Sequence, residues 1–197
     1  MHSPHRLILA STSPYRRELL ERLRLPFEVI APEVDETPLP GEQPATLARR
    51  LARAKAADVA ARHPGAVVIG SDQVADLDGT PLGKPGNHER AVAQLRAMRG
   101  RRVIFHTAVA VRCIARAVEA SELAEVSVLV RDLSDDDIEH YLRAEQPYDC
   151  AGSAKAEGLG IALLSRIESD DPTALIGLPL MRTCALLREA GIDPLRP

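Results

Sequence analysis

The stretch AVVIGSDQVADLDGTPL, residues 66–82, decides how this chain is read. Residues 66–69 form a short apolar run of strand type, and it ends in Gly70-Ser71-Asp72-Gln73. Residues 74–77 and 80–82 then flank Asp78-Gly79, a dipeptide suited to a two-residue hairpin turn. The hairpin delivers Gly83-Lys84-Pro85. A strand that runs out into a polar tetrad places Asp72 at a strand's carboxyl end, where open α/β sheets bind ligands. The other reading of Asp72 is a loop carboxylate that caps a nearby turn.

Outward from this stretch, the pattern alternates strands and helices. RLILA at 6–10 reads as a buried strand, and Ser11-Thr12-Ser13-Pro14 supplies a hydroxyl cap and a first-turn proline for a helix to about residue 24. Leu19, Leu20 and Leu23 fall on its inner face. FEVI at 27–30 reads as a second strand, followed by an acidic, proline-broken loop with Glu33, Asp35 and Glu36. A long helix is expected over 44–62, with Leu47, Leu51, Ala54 and Val59 on one face and Lys55 at that face's edge. Downstream, Asn87 caps a helix ending near Gly100, and 102–112 and 124–133 read as two long strands. The alternating Val126, Val128 and Val130 give the second of them one covered face. Ser134 and Asp137 have capping-box spacing, 158–164 reads as a strand, and a last helix spans 178–190. The fold class is α/β with a mixed sheet, organised as one domain over 1–197.

Composition narrows the function classes. The 197 residues carry 25 basic and 28 acidic side chains, a net charge of −3, so there is no basic excess for a nucleic-acid backbone. Apolar residues make up 45% and charged residues 27%, which excludes a disordered composition. Five aromatic residues are too few for a platform of stacked nucleotides. Apolar runs are too short for a membrane span and the N-terminus lacks an export signal's design, so a soluble, cytoplasmic protein is expected. His2 and His5 are expected in a mobile tail. Cys113, Cys150 and Cys184 suit neither a disulfide framework nor a zinc site. Only Lys55, Lys84 and Lys155 are lysines, against 22 arginines. A chain that otherwise uses arginine keeps lysine where a compact point charge is needed.

The chemistry is distributed rather than carried by one motif. GxxxxGK[ST], HExxH and GxSxG are absent, and Gly158-Leu159-Gly160 lacks the third glycine of a dinucleotide fingerprint. Residues 11–17 put hydroxyls, helix-start amides and Arg16 at one turn, which suits an anion cradle as well as an ordinary capped helix. The acidic loop could offer hard oxygens to Mg²⁺ or be simply solvated. Lys55 and Lys84 could meet a polyphosphate or lie on the surface. Taken together, these groups describe metal-assisted chemistry on a nucleoside polyphosphate.

The segments LASTSPYRR at 9–17, EVDE at 33–36, GSDQ at 70–73 and GKP at 83–85 resemble the Maf family of nucleoside triphosphate pyrophosphatases in order and spacing. The resemblance continues through CAGS at 150–153, EG at 157–158 and GLPL at 177–180, and is strongest to the YceF-type branch, which hydrolyses 7-methyl-GTP. It implies a twisted mixed sheet flanked by helices, two lobes around a central cleft (the inosine-triphosphatase-like fold), a homodimer, a divalent cation (Mg²⁺ or Mn²⁺), and nucleoside monophosphate and pyrophosphate as products. By motif, Asp72 resembles the proton acceptor, or a metal ligand that positions hydroxide. Ser11, Arg16, Lys55 and Lys84 match the phosphate-binding shell, and Glu36 with Asp72 the metal site. Tyr15, Gln73 and Glu157 match the positions that set substrate choice. Ala154 stands where the family has a larger aromatic residue. Other readings within the resemblance are a broad-specificity or dTTP/UTP pyrophosphatase, and a nucleotide-binding regulator of septum formation. Lys155 has no assigned role.

Overall fold

The computed structural model describes residues 6–196, so His2 and His5 lie outside the described residues. Seven strands among the described residues form one mixed sheet: β1 Leu7–Ala10, β2 Glu28–Ile30, β3 Val67–Leu77, β4 Thr80–Leu82, β5 Arg102–Cys113, β6 Val118–Val130 and β7 Leu164–Ser169. Their order is β2-β1-β3-β5-β6-β7, with β4 beside β3. β1 pairs parallel with β2 and β3, while the β3–β5, β5–β6 and β6–β7 pairs are antiparallel. The helices are α1 Pro14–Glu21, α2 Pro44–Arg62, α3 His88–Met98, α4 Asp135–Glu145 and α5 Leu180–Glu189.

Side chains alternate between the faces of a strand, and along β3 that alternation divides the molecule. Val67 and Ile69 join Leu7, Leu9, Val109 and Val111 in a core closed by Leu19 and Leu20 of α1 and Leu186 and Leu187 of α5. Ala75 and Leu77 share that face but enter a second core with Val103, Phe105, Val126 and Val128, closed by α3 and α4. Between the two cores the same face of β3 carries Ser71 and Gln73, with Thr107 beside them on β5. This polar belt separates two lobes. On the opposite face, Leu47, Leu51, Ala52 and Ala56 of α2 pack on Val74, Ala108 and Ala110.

A gap in strand pairing opens the cleft. β1 pairs with β3 only as far as Gly70, and β4 rejoins the same edge at Ala75. Residues 71–74 therefore have a partner strand on one side only, β5.

Several elements differ from the sequence expectation. Asp72 is not at a strand end: β3 continues to Leu77, and it is the parallel neighbour β1 that stops beside Gly70. Lys55 lies in the buried stripe of α2 rather than at its edge, and Ala54 is only half-buried. β6 begins at Val118, before the expected start, since exposed Glu119 and Glu122 break the apolar pattern of its first residues, and it ends at Val130. Residues 159–163 form a 3-10 turn before β7. Two features bend that segment. A Cβ on Gly160 would lie 2.5 Å from the Lys155 carbonyl oxygen, and the Leu159 amide donates to Glu145 Oε2 at 2.7 Å. α1 stops at Glu21 and α5 starts at Leu180, each a turn or less from expectation.

Candidate active site

At Gly70 the missing side chain lets a helix approach. A Cβ there would meet the backbone oxygen of Ala52 at 2.3 Å and the backbone nitrogen of Ala56 at 2.6 Å. α2 therefore lies directly on β3, and Lys55 reaches Asp72, two residues beyond the glycine on the same strand face. The Lys55 ammonium lies 2.7 Å from Asp72 Oδ1 and 2.7 Å from Glu36 Oε1. Both members of the Lys55–Asp72 pair are buried, with side chains 6% and 9% exposed, so each charge depends on the other. Glu36 closes the group from the loop above. Burial works to raise its pKa, but Lys55, then Lys84 and Arg16, hold it below the usual carboxylate range. Glu33 and Asp35 take no part: the Glu33 amide donates to Asp58, and Asp35 accepts the Thr37 amide.

Ser13 caps α1 by accepting the Arg16 amide, and the buried Ser11 hydroxyl accepts the Ser13 amide, which leaves the Ser11 O–H available to donate. Arg16 Nε donates to the Gly177 carbonyl at 2.9 Å, and the Ser71 hydroxyl is shared between that carbonyl at 3.1 Å and the Ala108 carbonyl at 2.8 Å. Burial lowers the Arg16 pKa, while Asp72 and Glu36 oppose that shift. Gln73 Nε2 lies within 3.0 Å of Thr107 Oγ1, the Ala174 carbonyl and the Leu175 carbonyl, three acceptors for its two N–H groups. With both N–H groups engaged, Gln73 has only its carbonyl oxygen left for a ligand.

Successive residues on a helix point about 100° apart, and at the start of α1 this separates two environments. Arg16 turns toward Asp72 and Glu36, whereas Tyr15 turns toward Asp149, Cys150 and Lys155. Burial, then Cys150 and Asp149, push the Tyr15 hydroxyl up to about 12. Burial and Asp149 push the Cys150 thiol up to about 12, so it remains protonated. Burial also raises Glu157. Ala154 forms part of this wall.

The structure thus brings Ser11, Tyr15, Arg16, Glu36, Lys55, Asp72, Gln73, Lys84 and Glu157 to one cleft of about 560 Å³. That volume is in the range of small-molecule sites. Sequence reasoning missed the supports: Ser71, Thr107 and the Ala174–Ile176 turn with Gly177. Their partners lie up to 161 residues away, and the one local signal is a polar pair, Ser71 and Gln73, on one face of an apolar strand. No group of three His, Cys, Asp or Glu side chains gathers for a metal among the described residues. Two carboxylates do converge on one cationic point, the Lys55 ammonium. This fits a hard divalent cation that takes its other ligands from phosphate oxygens and water.

Fold and cleft together define an α/β protein that presents cations and paired carboxylates to a polyanion. Family comparison assigns it further. The chain belongs to the Maf family, whose model, described as Maf-like protein, matches residues 6–190. It is 70% identical over 186 residues to a 7-methyl-GTP pyrophosphatase of Polaromonas sp. (strain JS666), covering 94% of this chain and 85% of the relative. A protein of the same description from Albidiferax ferrireducens is 66% identical, with 96% of both chains covered. Among solved structures, a HAM1 protein from Coxiella burnetii aligns with a TM-score of 0.47 and 18% identity, over 66% of this chain and 74% of that one. No helix among the described residues is long and apolar enough to cross a membrane.

Proposed function

We propose that this chain hydrolyses 7-methyl-GTP at the α-phosphorus, giving 7-methyl-GMP and pyrophosphate. One observation carries the reading: the cleft has two electrically different ends. Arg16, Lys55 and Lys84 outnumber Glu36 and Asp72 at one end, a balance of +3 against −2. Asp149 and Glu157 line the other end beside Tyr15, where the lining has no cation. A triphosphate needs the first, and a base made cationic by N7 methylation suits the second.

The steps rest on this chain's residues. Arg16, Lys55 and Lys84 hold the triphosphate, with the Ser11 hydroxyl donating to a phosphate oxygen. Lys55 engages Asp72 through Oδ1 and leaves Oδ2 without a protein partner among the described residues. There Asp72 accepts a proton from the water that attacks the α-phosphorus. The bond to the β-phosphate oxygen breaks, and the negative charge on departing pyrophosphate is met by Lys84 and Arg16. Glu36 and Asp72 would hold a divalent cation, Mg²⁺ or Mn²⁺, which when bound offsets phosphate charge. Tyr15 offers the base an aromatic face, worth about 0.5–2 kcal/mol for a cationic ring. Glu157 accepts the N1–H and N2–H₂ donors, and Gln73 offers a single acceptor oxygen. Homodimeric assembly and a cytoplasmic setting belong to the same proposal, on the family resemblance.

The test is pyrophosphate release with Mg²⁺ from 7-methyl-GTP, GTP, dTTP, UTP and CTP. The expected result is the highest kcat/KM for 7-methyl-GTP. A preference for dTTP or UTP would contradict the base assignment, and release of orthophosphate alone would contradict attack at the α-phosphorus.

A further inference from the structure

Lys155 is one of only three lysines, and the chemistry above does not use it. Its ammonium is 2.7 Å from Glu145 Oε1, and both side chains are largely covered, 26% and 15% exposed. The same ammonium lies 5.6 Å from the centroid of the Tyr15 ring. Tyr15 lines the cleft, so the ammonium lies against a ring that forms part of the site.

The loop around Lys155 is tightly built. Its amide donates to the Tyr141 hydroxyl, which itself donates to the Ser153 carbonyl, and its carbonyl accepts the Gly158 amide. Glu145, on α4, receives the Leu159 amide on its other oxygen. A Cβ on Gly158 would lie 2.7 Å from that carboxylate. The chain at 155–160 is therefore folded around Glu145, and Glu157 sits in the middle of it.

We propose that Lys155 is a positioning residue for base selection: paired with Glu145 and lying over Tyr15, it holds the loop that presents Glu157 to the base, shields Glu157 from the Glu145 charge and fixes the ring on which the base stacks. The assignment rests on the 7-methyl-GTP reading. The charged and titratable groups around Glu157 among the described residues are Lys155, Glu145 and Tyr141 of α4, Glu18 of α1 and Cys150, with Asp149 and Tyr15 lining the same end of the cleft. Lys155 is the only cation among these. Glu145 and Glu18 both disfavour a second negative charge at Glu157, and burial does so most. Without Lys155, Glu145 becomes a bare carboxylate beside Glu157, and both changes drive Glu157 toward its neutral form. A neutral Glu157 no longer distinguishes a cationic from a neutral guanine by charge.

The experiment measures kcat/KM for 7-methyl-GTP and for GTP from pH 5 to 7.5 in the wild type, Lys155→Met, Lys155→Gln, Lys155→Arg and the Lys155→Met/Glu145→Gln double variant. Thermal unfolding of each accompanies it. In Lys155→Met the 7-methyl-GTP/GTP ratio is expected to fall about five- to tenfold near pH 6.5, with its acid limb moved up by about one pH unit. Lys155→Gln still donates to Glu145 but lacks the charge, and it is expected to behave as Lys155→Met does. Lys155→Arg keeps the wild-type ratio. Removing the stranded charge in the double variant restores most of it, because the side-chain carbonyl that Glu145→Gln introduces can still accept the Leu159 amide. An unchanged ratio and acid limb in Lys155→Met and Lys155→Gln overturns the proposal while leaving the substrate reading intact. So does a fall that Glu145→Gln fails to repair. A wild-type enzyme with no preference for 7-methyl-GTP overturns both.

Discussion

The two ends of the cleft are built from different material. At the phosphate end, Lys55 and Asp72 stand on a helix and a strand held in backbone contact at Gly70. At the base end, Glu157 and Lys155 stand on a loop of tight turns, held by side-chain contacts to Tyr141 and Glu145 of α4. Transition-state geometry tolerates little displacement, and the sheet supplies a rigid frame for it. Base choice needs only a difference in binding between two similar ligands, and a loop can be altered without disturbing the strands beneath. Turnover and selection thus fall to different residues.

The largest effect is expected at Asp72. Asp72→Asn is expected to lower kcat by on the order of 10²–10⁴, while the nucleotide Kd, measured by calorimetry, changes by only a few fold. Lys55→Met comes next, because it leaves Asp72 buried without its partner. A stability loss of about 3–5 kcal/mol is expected in urea unfolding, together with a fall in kcat. Gly70→Ala pushes a methyl group against the α2 backbone, and a loss of about 1–3 kcal/mol is expected with reduced turnover. The finding that would count against the account is a stable Gly70→Ala protein of normal kcat.

Smaller effects sharpen the comparison. Burial raises the Glu157 pKa, so its negative charge is present above that raised value and is lost as pH falls through it. The 7-methyl-GTP/GTP ratio should therefore decline on the acid side at a higher pH than an ordinary carboxylate would give, and Glu157→Gln should flatten that decline. The smallest effect lies outside the cleft. Hydrogen bonds from Arg50, then from the Leu39 amide, hold Glu42 down to about 2. Its folded-state pKa is depressed, so its contribution to stability is present above the ordinary carboxylate value of about 4.3 and is lost as pH falls toward 2. Urea midpoints of wild type and Glu42→Gln should differ at pH 6 and converge near pH 2.

Much of this was legible from local pattern. Ser13 with Pro14, Asn87, and the Ser134–Asp137 capping box each announced a helix start, and Asp78-Gly79 announced the hairpin, with both residues at positive φ. The motif residues pointed to one site. What local pattern could not show was mid-strand Asp72. Its place in the cleft comes from where β1 stops and β4 rejoins, a property of neighbouring strands rather than of the segment itself. The anchoring of Arg16 and Ser71 on the Gly177 carbonyl was hidden for the same reason: its partners are 161 and 106 residues apart in sequence. Residues 158–164 misled because LGIALL has strand composition, while the glycine contacts that bend it depend on α4.

The most direct test of the divided cleft assays Asp72→Asn and Glu157→Gln side by side with 7-methyl-GTP and GTP. The account predicts that Asp72→Asn lowers kcat for both substrates by the same factor and leaves their ratio of kcat/KM unchanged, whereas Glu157→Gln lowers that ratio several fold. A ratio that collapses in Asp72→Asn, or that stays at its wild-type value in Glu157→Gln, would contradict it.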